Sequence, residues 1–324
     1  MQAMIENYVG GAMFLVTANS LVMLATCMLV GVIGRILKIL SDEADFVISN
    51  LLIRFALPAT ILLAMMQPFS TGLLINSIAT ILIMCVIFLF GWAVGTGISF
   101  AVKANSEERR IWQFALMFPN VTYIGLPVIS AIYGEAGMMY ASMVTMAFFI
   151  MVFSFGVRIL KPLKVDDGTN DKQSSSVAFI PVAVSLLLGF IFFVTSARLP
   201  APIENGIELI GGMTAPLAMI LVGSVLAKTI GETGIKSLIK DWRVYVVVLA
   251  RLVLIPVVAF IALNPFLENQ IMLGTVVILS AMPVAALTVI ILKQFNAKTS
   301  LASRTIVLSD VLCLVTIPIL SVLL

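Results

Sequence analysis

The sequence contains no histidine among its 324 residues. That absence removes histidine proton relays, imidazole metal ligands and every Ser-His or Cys-His nucleophile pair. Cysteine is almost as scarce. Cys27, Cys85 and Cys313 are far apart and each sits in an apolar run, which excludes a disulfide framework and any CxxC metal or redox motif. Charged residues make up only 11% of the chain, against about a quarter in an ordinary soluble domain. The net charge of +3 and the scatter of basic residues among loops argue against a nucleic-acid partner. No GxxxxGK[ST] stretch occurs, so direct coupling to ATP is not supported. The first twelve residues hold Glu6 but neither Lys nor Arg, so they lack the basic start of a cleavable signal peptide, and the first apolar stretch is expected to be retained.

The chain is instead 61% hydrophobic, a composition that places it in a lipid bilayer. Continuous apolar runs of spanning length predict ten transmembrane helices, at about 11–33, 47–66, 73–102, 111–133, 138–159, 178–197, 206–227, 244–263, 269–292 and 301–324. The runs lack the short alternation of an outer-membrane barrel. Sixteen of the nineteen Lys and Arg residues fall in the odd-numbered loops, and only Arg198 lies in an even-numbered one. By the positive-inside rule the odd loops are cytoplasmic and both termini are non-cytoplasmic.

The longest polar stretch, Lys161 to Ser176, reads as a flexible cytoplasmic linker. It divides the chain into a first five-helix unit (1–160), the linker (161–177) and a second five-helix unit (178–324). An odd number of spans in each unit means that related halves must be inverted across the membrane. Gly31 and Pro58 stand 27 residues apart, as do Gly189 and Pro216, which agrees with a repeat.

Two spans carry helix-breaking residues at depth. The fourth reads Pro119-Asn120-Val-Thr122-Tyr-Ile-Gly125-Leu-Pro127, and each proline removes a donor and disturbs the carbonyl four residues earlier. The ninth reads Ser280-Ala-Met-Pro283-Val-Ala-Ala-Leu287-Thr288. Unwound helices in equivalent positions of inverted repeats expose N–H groups that favour an anion and carbonyls that favour a cation.

These residues give the chain a resemblance to the auxin efflux carrier family, which includes plant auxin carriers and bacterial malate and malonate permeases. The resemblance is carried by Gly31-Val-Ile-Gly34 and Leu57-Pro58-Ala59, by the Pro119 to Pro127 segment with Tyr133-Gly134-Glu135, and by Ala215-Pro216-Leu-Ala218 with Gly223. Arg251 with Pro256 and Ala281-Met-Pro283 extend it over essentially the whole chain. It implies ten helices in two inverted five-helix repeats, with helices 4 and 9 broken where they cross at the substrate site. It also implies a bacterial inner-membrane location and transport of a small carboxylate anion such as malate or malonate. By motif match Asn120, Thr122, Gly125 and Pro127 are the substrate-site residues, with Pro283 and Thr288 on the partner helix. Family members often carry an amide shortly after the ninth-helix proline. Here Leu287 and Thr288 follow, which favours a smaller organic acid over auxin.

Three charges lie deep inside spans rather than at their ends. Asp310 is about nine residues into the tenth, or roughly 13 Å at 1.5 Å per residue, close to the midplane. An isolated carboxylate there costs on the order of 3 kcal/mol, so it faces a cavity, pairs with a cation or is protonated. It is a candidate for a coupling proton or sodium site, the alternative being a structural hydrogen bond to a neighbouring helix. Arg54 and Arg251 are each within reach of a cytoplasmic end and either snorkel, pair with a carbonyl or Asp310, or attract the anion. The Gly91–Gly95 spacing serves close helix packing or a homodimer equally well. A membrane-embedded enzyme would need clustered polar catalysts, and Asp310 is alone, so no enzymatic activity is expected. A secondary active carrier using no cofactor is the leading reading, with a passive anion channel or a transporter-like sensor as the alternative.

Overall fold

The computed structural model describes residues 19, 22–160, 180–234, 241–285, 288, 289, 292 and 300–321, and these are all-helical apart from one β-bridge. The linker, the first residues of the expected first span, Leu287 and Lys236, Lys240, Lys293 and Lys298 lie outside them. In chain order the elements are α1 (Val22–Ile36), α2 (Asp42–Met65), α3 (Thr71–Ala101), α4 (Ser106–Met117), α5 (Val121–Leu160) and α6 (Ile180–Thr195). They continue as α7 (Ala201–Gly212), α8 (Thr214–Thr233), α9 (Trp242–Leu263), α10 (Gln270–Ser280) and α11 (Ser300–Ser321). Six of these stretches, taking α7 and α8 together, are long and apolar enough to cross a bilayer, and α1, α6 and α10 are shorter apolar helices. The chain is therefore an all-α polytopic membrane protein, with nine or ten apolar helices among the described residues, depending on how α5 is counted. Gly134 has φ 58° and ψ −145°, a conformation open to glycine, and it breaks α5 between the expected fourth and fifth spans.

Several boundaries differ from those expected, for local reasons. α4 starts at Ser106, ahead of its apolar run, because Asn105 and Glu108 form a reciprocal capping box. The seventh span extends over α7 and α8, starting after Pro200 and stopping at Gly234 with φ 73°. Glu204, Lys228 and Glu232 lie in its end turns, where hydropathy alone ends the helix early.

Proline leaves a regular imprint. Three of the four π-helical turns among the described residues, Leu52–Ala56, Val121–Gly125 and Ala250–Leu254, end two residues before a proline, Pro58, Pro127 and Pro256, while the fourth, Val152–Gly156, is followed there by Arg158. A wider turn there accommodates the missing donor and the ring's clash with the carbonyl four residues back.

Two helix crossings rest on glycine. A Cβ on Gly31 of α1 would come to 2.0 Å from Ile220 O, and one on Gly223 of α8 to 1.9 Å from Met28 O, so the two backbones touch. On the opposite partners Gly189 of α6 lies against Met65 of α2. Thr60 of α2 shares a hydrogen bond of 2.8 Å with Thr214 of α8, which ties α2 to the second half of the chain.

Ion pairs gather the basic loops. Asp42 pairs with Arg35 and with Lys228 (2.6 Å), joining the ends of α1, α2 and α8. Arg243 bonds Glu108 and Asp241, joining α4 to α9, and its guanidinium holds the Asp241 carboxyl below the usual carboxylate range. The interior beyond the C-terminal end of α4 is aromatic. Phe118 packs with its ring centroid 4.6 Å from Phe114, 5.8 Å from Phe88 and 5.7 Å from Phe148.

Candidate functional site

The helical ladder stops at two places that face each other. α4 ends at Met117 and α5 begins at Val121, while α10 ends at Ser280 and the chain runs on without helix to Ala285. The two breaks run antiparallel and exchange two backbone hydrogen bonds. Asn120 N–H donates to Pro283 O at 2.7 Å, and Ala285 N–H donates to Phe118 O at 3.1 Å, making a single bridge between Pro119 and Val284. Val284 N–H donates to Ser309 Oγ of α11 at 3.1 Å. Non-helical backbone is tolerated at this depth only where its polar groups find partners in protein or a cavity.

Arg251 supplies most of the remaining partners. It lies in the π turn of α9, 1% exposed, and Nε donates to Met282 O at 3.0 Å. Its Nη1 donates to Leu116 O and its Nη2 to Ser280 O, both at 2.8 Å. All three carbonyls belong to the C-terminal ends of α4 and α10 or to the break itself. Helix C-termini carry partial negative charge, so one guanidinium serves two converging dipoles with no carboxylate among its described partners. Gly91 of α3 closes this corner, since a Cβ there would come to 2.3 Å from Leu116 O. The Gly91–Gly95 spacing thus serves packing of α3 on α4, with a Cβ on Gly95 meeting Gln113 Cα at 2.9 Å.

Asn120 occupies the start of the second half-helix. It is 2% exposed, its Oδ1 accepts from Tyr123 N–H at 3.3 Å, and its carbonyl accepts from Gly125 N–H at 3.0 Å. Its Nδ2 donates to no described residue. Thr122, Gly125 and Pro127 are buried in the same turn or the one after it. Pro283 enters through its carbonyl. Thr288 is fully buried, and its Oγ1 has no hydrogen-bond partner among the described residues. Asn120, Thr122, Gly125 and Pro283 are therefore brought together at the breaks.

Two expected charges stand apart from them. Arg54 is exposed on the outside of α2 and forms no ion pair among the described residues. Asp310 is 6% exposed, follows Ser309 directly, and its Oδ1 has no hydrogen-bond partner among the described residues. It faces a cavity that also touches Met28, Ile124 and Met219. Sequence reasoning missed Ser309, whose position beside Asp310 in an apolar run was the available signal. It also missed the carbonyls of Leu116, Ser280 and Met282, which have no side-chain signature.

The model of a family described as membrane transport protein matches residues 16–179 and 172–321. The chain belongs to this membrane transport protein family, the family of the auxin efflux carriers. It is a family of transporters rather than enzymes. Among its relatives is a protein of Methanothermobacter thermautotrophicus called an uncharacterized transporter, 24% identical over 96% of this chain and 99% of that protein. An uncharacterized transporter of Methanocaldococcus jannaschii is 20% identical over 89% of this chain and 92% of its own length. Among the described residues no cluster of three acidic or cysteine side chains could hold a metal ion.

Proposed function

We propose that this membrane transport protein is a secondary active carrier of a small organic carboxylate, such as malate or malonate, working by alternating access. The paired helix breaks carry this reading. With Arg251 occupying the carbonyl ends of α4 and α10, the free positive end of a half-helix is the start of α5, at Asn120 and Thr122. Helix N-termini with a side-chain amide beside them bind carboxylates. Asn120, Thr122, Gly125 and Pro127 form one wall of the site, with Pro283 and Thr288 on the other. Arg54 takes the role of drawing anions to the surface rather than holding them, and Arg251 holds the breaks.

The carrier architecture is ten helices in two inverted five-helix repeats, 1–160 and 178–324, joined by the 161–177 linker. Support comes from reciprocal packing. Gly31 of α1 meets α8, its counterpart Gly189 of α6 meets α2, and Thr60 and Thr214 join α2 to α8 close to Pro58 and Pro216. In this reading the odd loops face the cytoplasm across a bacterial inner membrane, both termini are outside, and Asp310 couples transport to protons or sodium. A homodimer remains compatible with the exposed apolar faces of α1 and α2.

The test is uptake by proteoliposomes of malate, malonate, lactate, oxalate and indole-acetate under imposed proton and sodium gradients. Saturable uptake with counterflow is expected for a small dicarboxylate. Unsaturable conductance would mark a channel, binding without flux a sensor, and no interaction with any of these anions would remove the anion reading.

A further inference from the structure

The reading above leaves the coupling ion open between a proton and sodium, and the surroundings of Asp310 discriminate between them. Asp310 lies in a cavity of about 20 Å³, enough for one water molecule. The walls come from four helices: Met28 of α1, Ile124 and Val128 of α5, Met219 of α8, and Cys313 one turn further along α11. The other lining residues, Leu24, Ala25 and Leu314, are also apolar. Among the described residues no lysine, arginine, second carboxylate, amide or hydroxyl lines the cavity. The one other titratable lining group, Cys313, donates its Sγ–H to the backbone carbonyl of Asp310 at 3.1 Å rather than to the carboxyl. Arg251, the other buried charge, is committed to the three break carbonyls.

A hard cation needs a shell of several oxygen ligands, and this cavity offers the carboxyl group with space for a single water. A bare carboxylate has neither a donor nor a counter-charge there. A proton needs only the carboxyl oxygen itself. We propose that the Asp310 cavity is a proton-binding site that excludes alkali cations, and that the proton is the coupling ion. This rests on the carrier reading for its link to transport.

The site is wired to the breaks at two points. Ser309, the residue before Asp310, accepts from Val284 N–H, and Ile124, which lines the cavity, lies in the π turn that starts at the Asn120 cap. The cavity also lies where α1 and α8, locked together at Gly31 and Gly223, meet α5 and α11. Separation of the α1–α8 pair from α5 and α11 admits water to Asp310 and releases its proton, and closure requires the proton to be bound. No covalent chemistry is involved beyond transfer of one proton between the carboxyl and water.

The experiment has two arms on the full-length protein in proteoliposomes. In the first, with no organic anion present, infrared difference spectra between neutral and alkaline suspension report protonated carboxylic acids. The expected result is a carbonyl-stretch band of a weakly hydrogen-bonded acid at neutral pH, missing in Asp310→Asn and unchanged by added sodium. Val128→Thr, which brings a hydroxyl into the cavity, should move the band to lower frequency, and this variant serves should Asp310→Asn fail to fold. Absence of the band in the wild type at neutral pH, or its removal by sodium, overturns the proposal. In the second arm, accumulation of the anion found by the uptake screen should follow an imposed pH gradient, ignore a sodium gradient, and lose its pH drive in Asp310→Asn. Sodium-driven accumulation, or pH drive that survives Asp310→Asn, overturns it as well. A screen that finds no transported anion defeats the carrier reading alone, because the infrared arm needs no anion.

Discussion

Replacing Arg251 tests the central claim about how the helix breaks are held. The guanidinium donates from Nε, Nη1 and Nη2 to Met282 O, Leu116 O and Ser280 O at 3.0, 2.8 and 2.8 Å. In Arg251→Met these three buried acceptors lose their donor. An orphaned buried acceptor costs about 1–3 kcal/mol, so the three together cost about 3–9 kcal/mol. Against this stands relief from burying a cation that has no carboxylate partner, worth several kcal/mol. The net expectation is a loss of about 2–4 kcal/mol, or a melting temperature lower by about 5–15 °C at about 2–4 °C per kcal/mol. Arg251→Lys is the informative companion. Its ammonium keeps the charge and its burial cost but cannot span three carbonyls that a planar fork reaches. Lysine should therefore be no better than methionine. The assay is thermal unfolding of purified protein followed by tryptophan fluorescence, for which fully buried Trp112 on α4 is well placed. An unchanged melting temperature in Arg251→Met would refute the clamp. So would a lysine variant that melts and transports like wild type while methionine fails, because positive charge alone would then be what the position supplies.

Four further outcomes follow from the same geometry. Gly31→Ala and Gly223→Ala each drive a methyl into a backbone carbonyl at about 2 Å and should cost about 1–3 kcal/mol in thermal stability, whereas Gly72→Ala, with nothing within 4 Å, should be neutral. Gly91→Ala pushes on Leu116 O and should lower stability by a similar amount, with little added effect in an Arg251→Met background, as a double-mutant cycle would show. Asn120→Ala removes a cap and the side-chain amide beside it, and should raise the KM for anion uptake by about tenfold, about 1–2 kcal/mol. The Asp241 carboxyl is held low chiefly by its hydrogen bond to Arg243, so its stabilising effect is present above the unfolded carboxylate pKa and is lost as pH falls through the lower folded value. Melting of Asp241→Asn should thus fall below wild type by less than about 1 kcal/mol at neutral pH and converge with it in acid, the pair being partly exposed.

The legible part of this fold lies in bulk properties that hydropathy integrates. The apolar runs locate the helices because only helices and closed barrels satisfy the backbone in lipid, and the runs lack a barrel's alternation. The double proline with Asn120 announces the fourth-span break, and Pro283 flanked by small residues the ninth. The crossing of those breaks is implied by the family resemblance alone, and the atoms that join them are not legible at all, because Asn120 N–H and Pro283 O are main-chain groups with no side-chain signature. Three of the four π turns track proline positions but need a structure to distinguish them from kinks, and the fourth, Val152–Gly156, has no proline to announce it. Arg251 illustrates the limit most sharply. Its depth in an apolar run marks it as unusual, yet snorkelling, carbonyl pairing and anion attraction look alike until its three acceptors are located.

Those acceptors divide the labour at the breaks. A broken helix presents a negative end and a positive end close together, and an unfilled pair would bind cations and anions with equal readiness. Here the negative ends of α4 and α10 are filled by a cation fixed to the chain, whose place no dissolved ion can take without displacing three hydrogen bonds. Dissolved sodium therefore has no vacancy at the break carbonyls that Arg251 holds, and none in the apolar cavity of Asp310. The positive end at Asn120 is the one whose side-chain amide donates to no described residue. In the proposed mechanism, selectivity for an anion with a proton then requires no discriminating cage for either, only that the break carbonyls be already occupied and the Asp310 cavity too poor in oxygen to hold a metal cation.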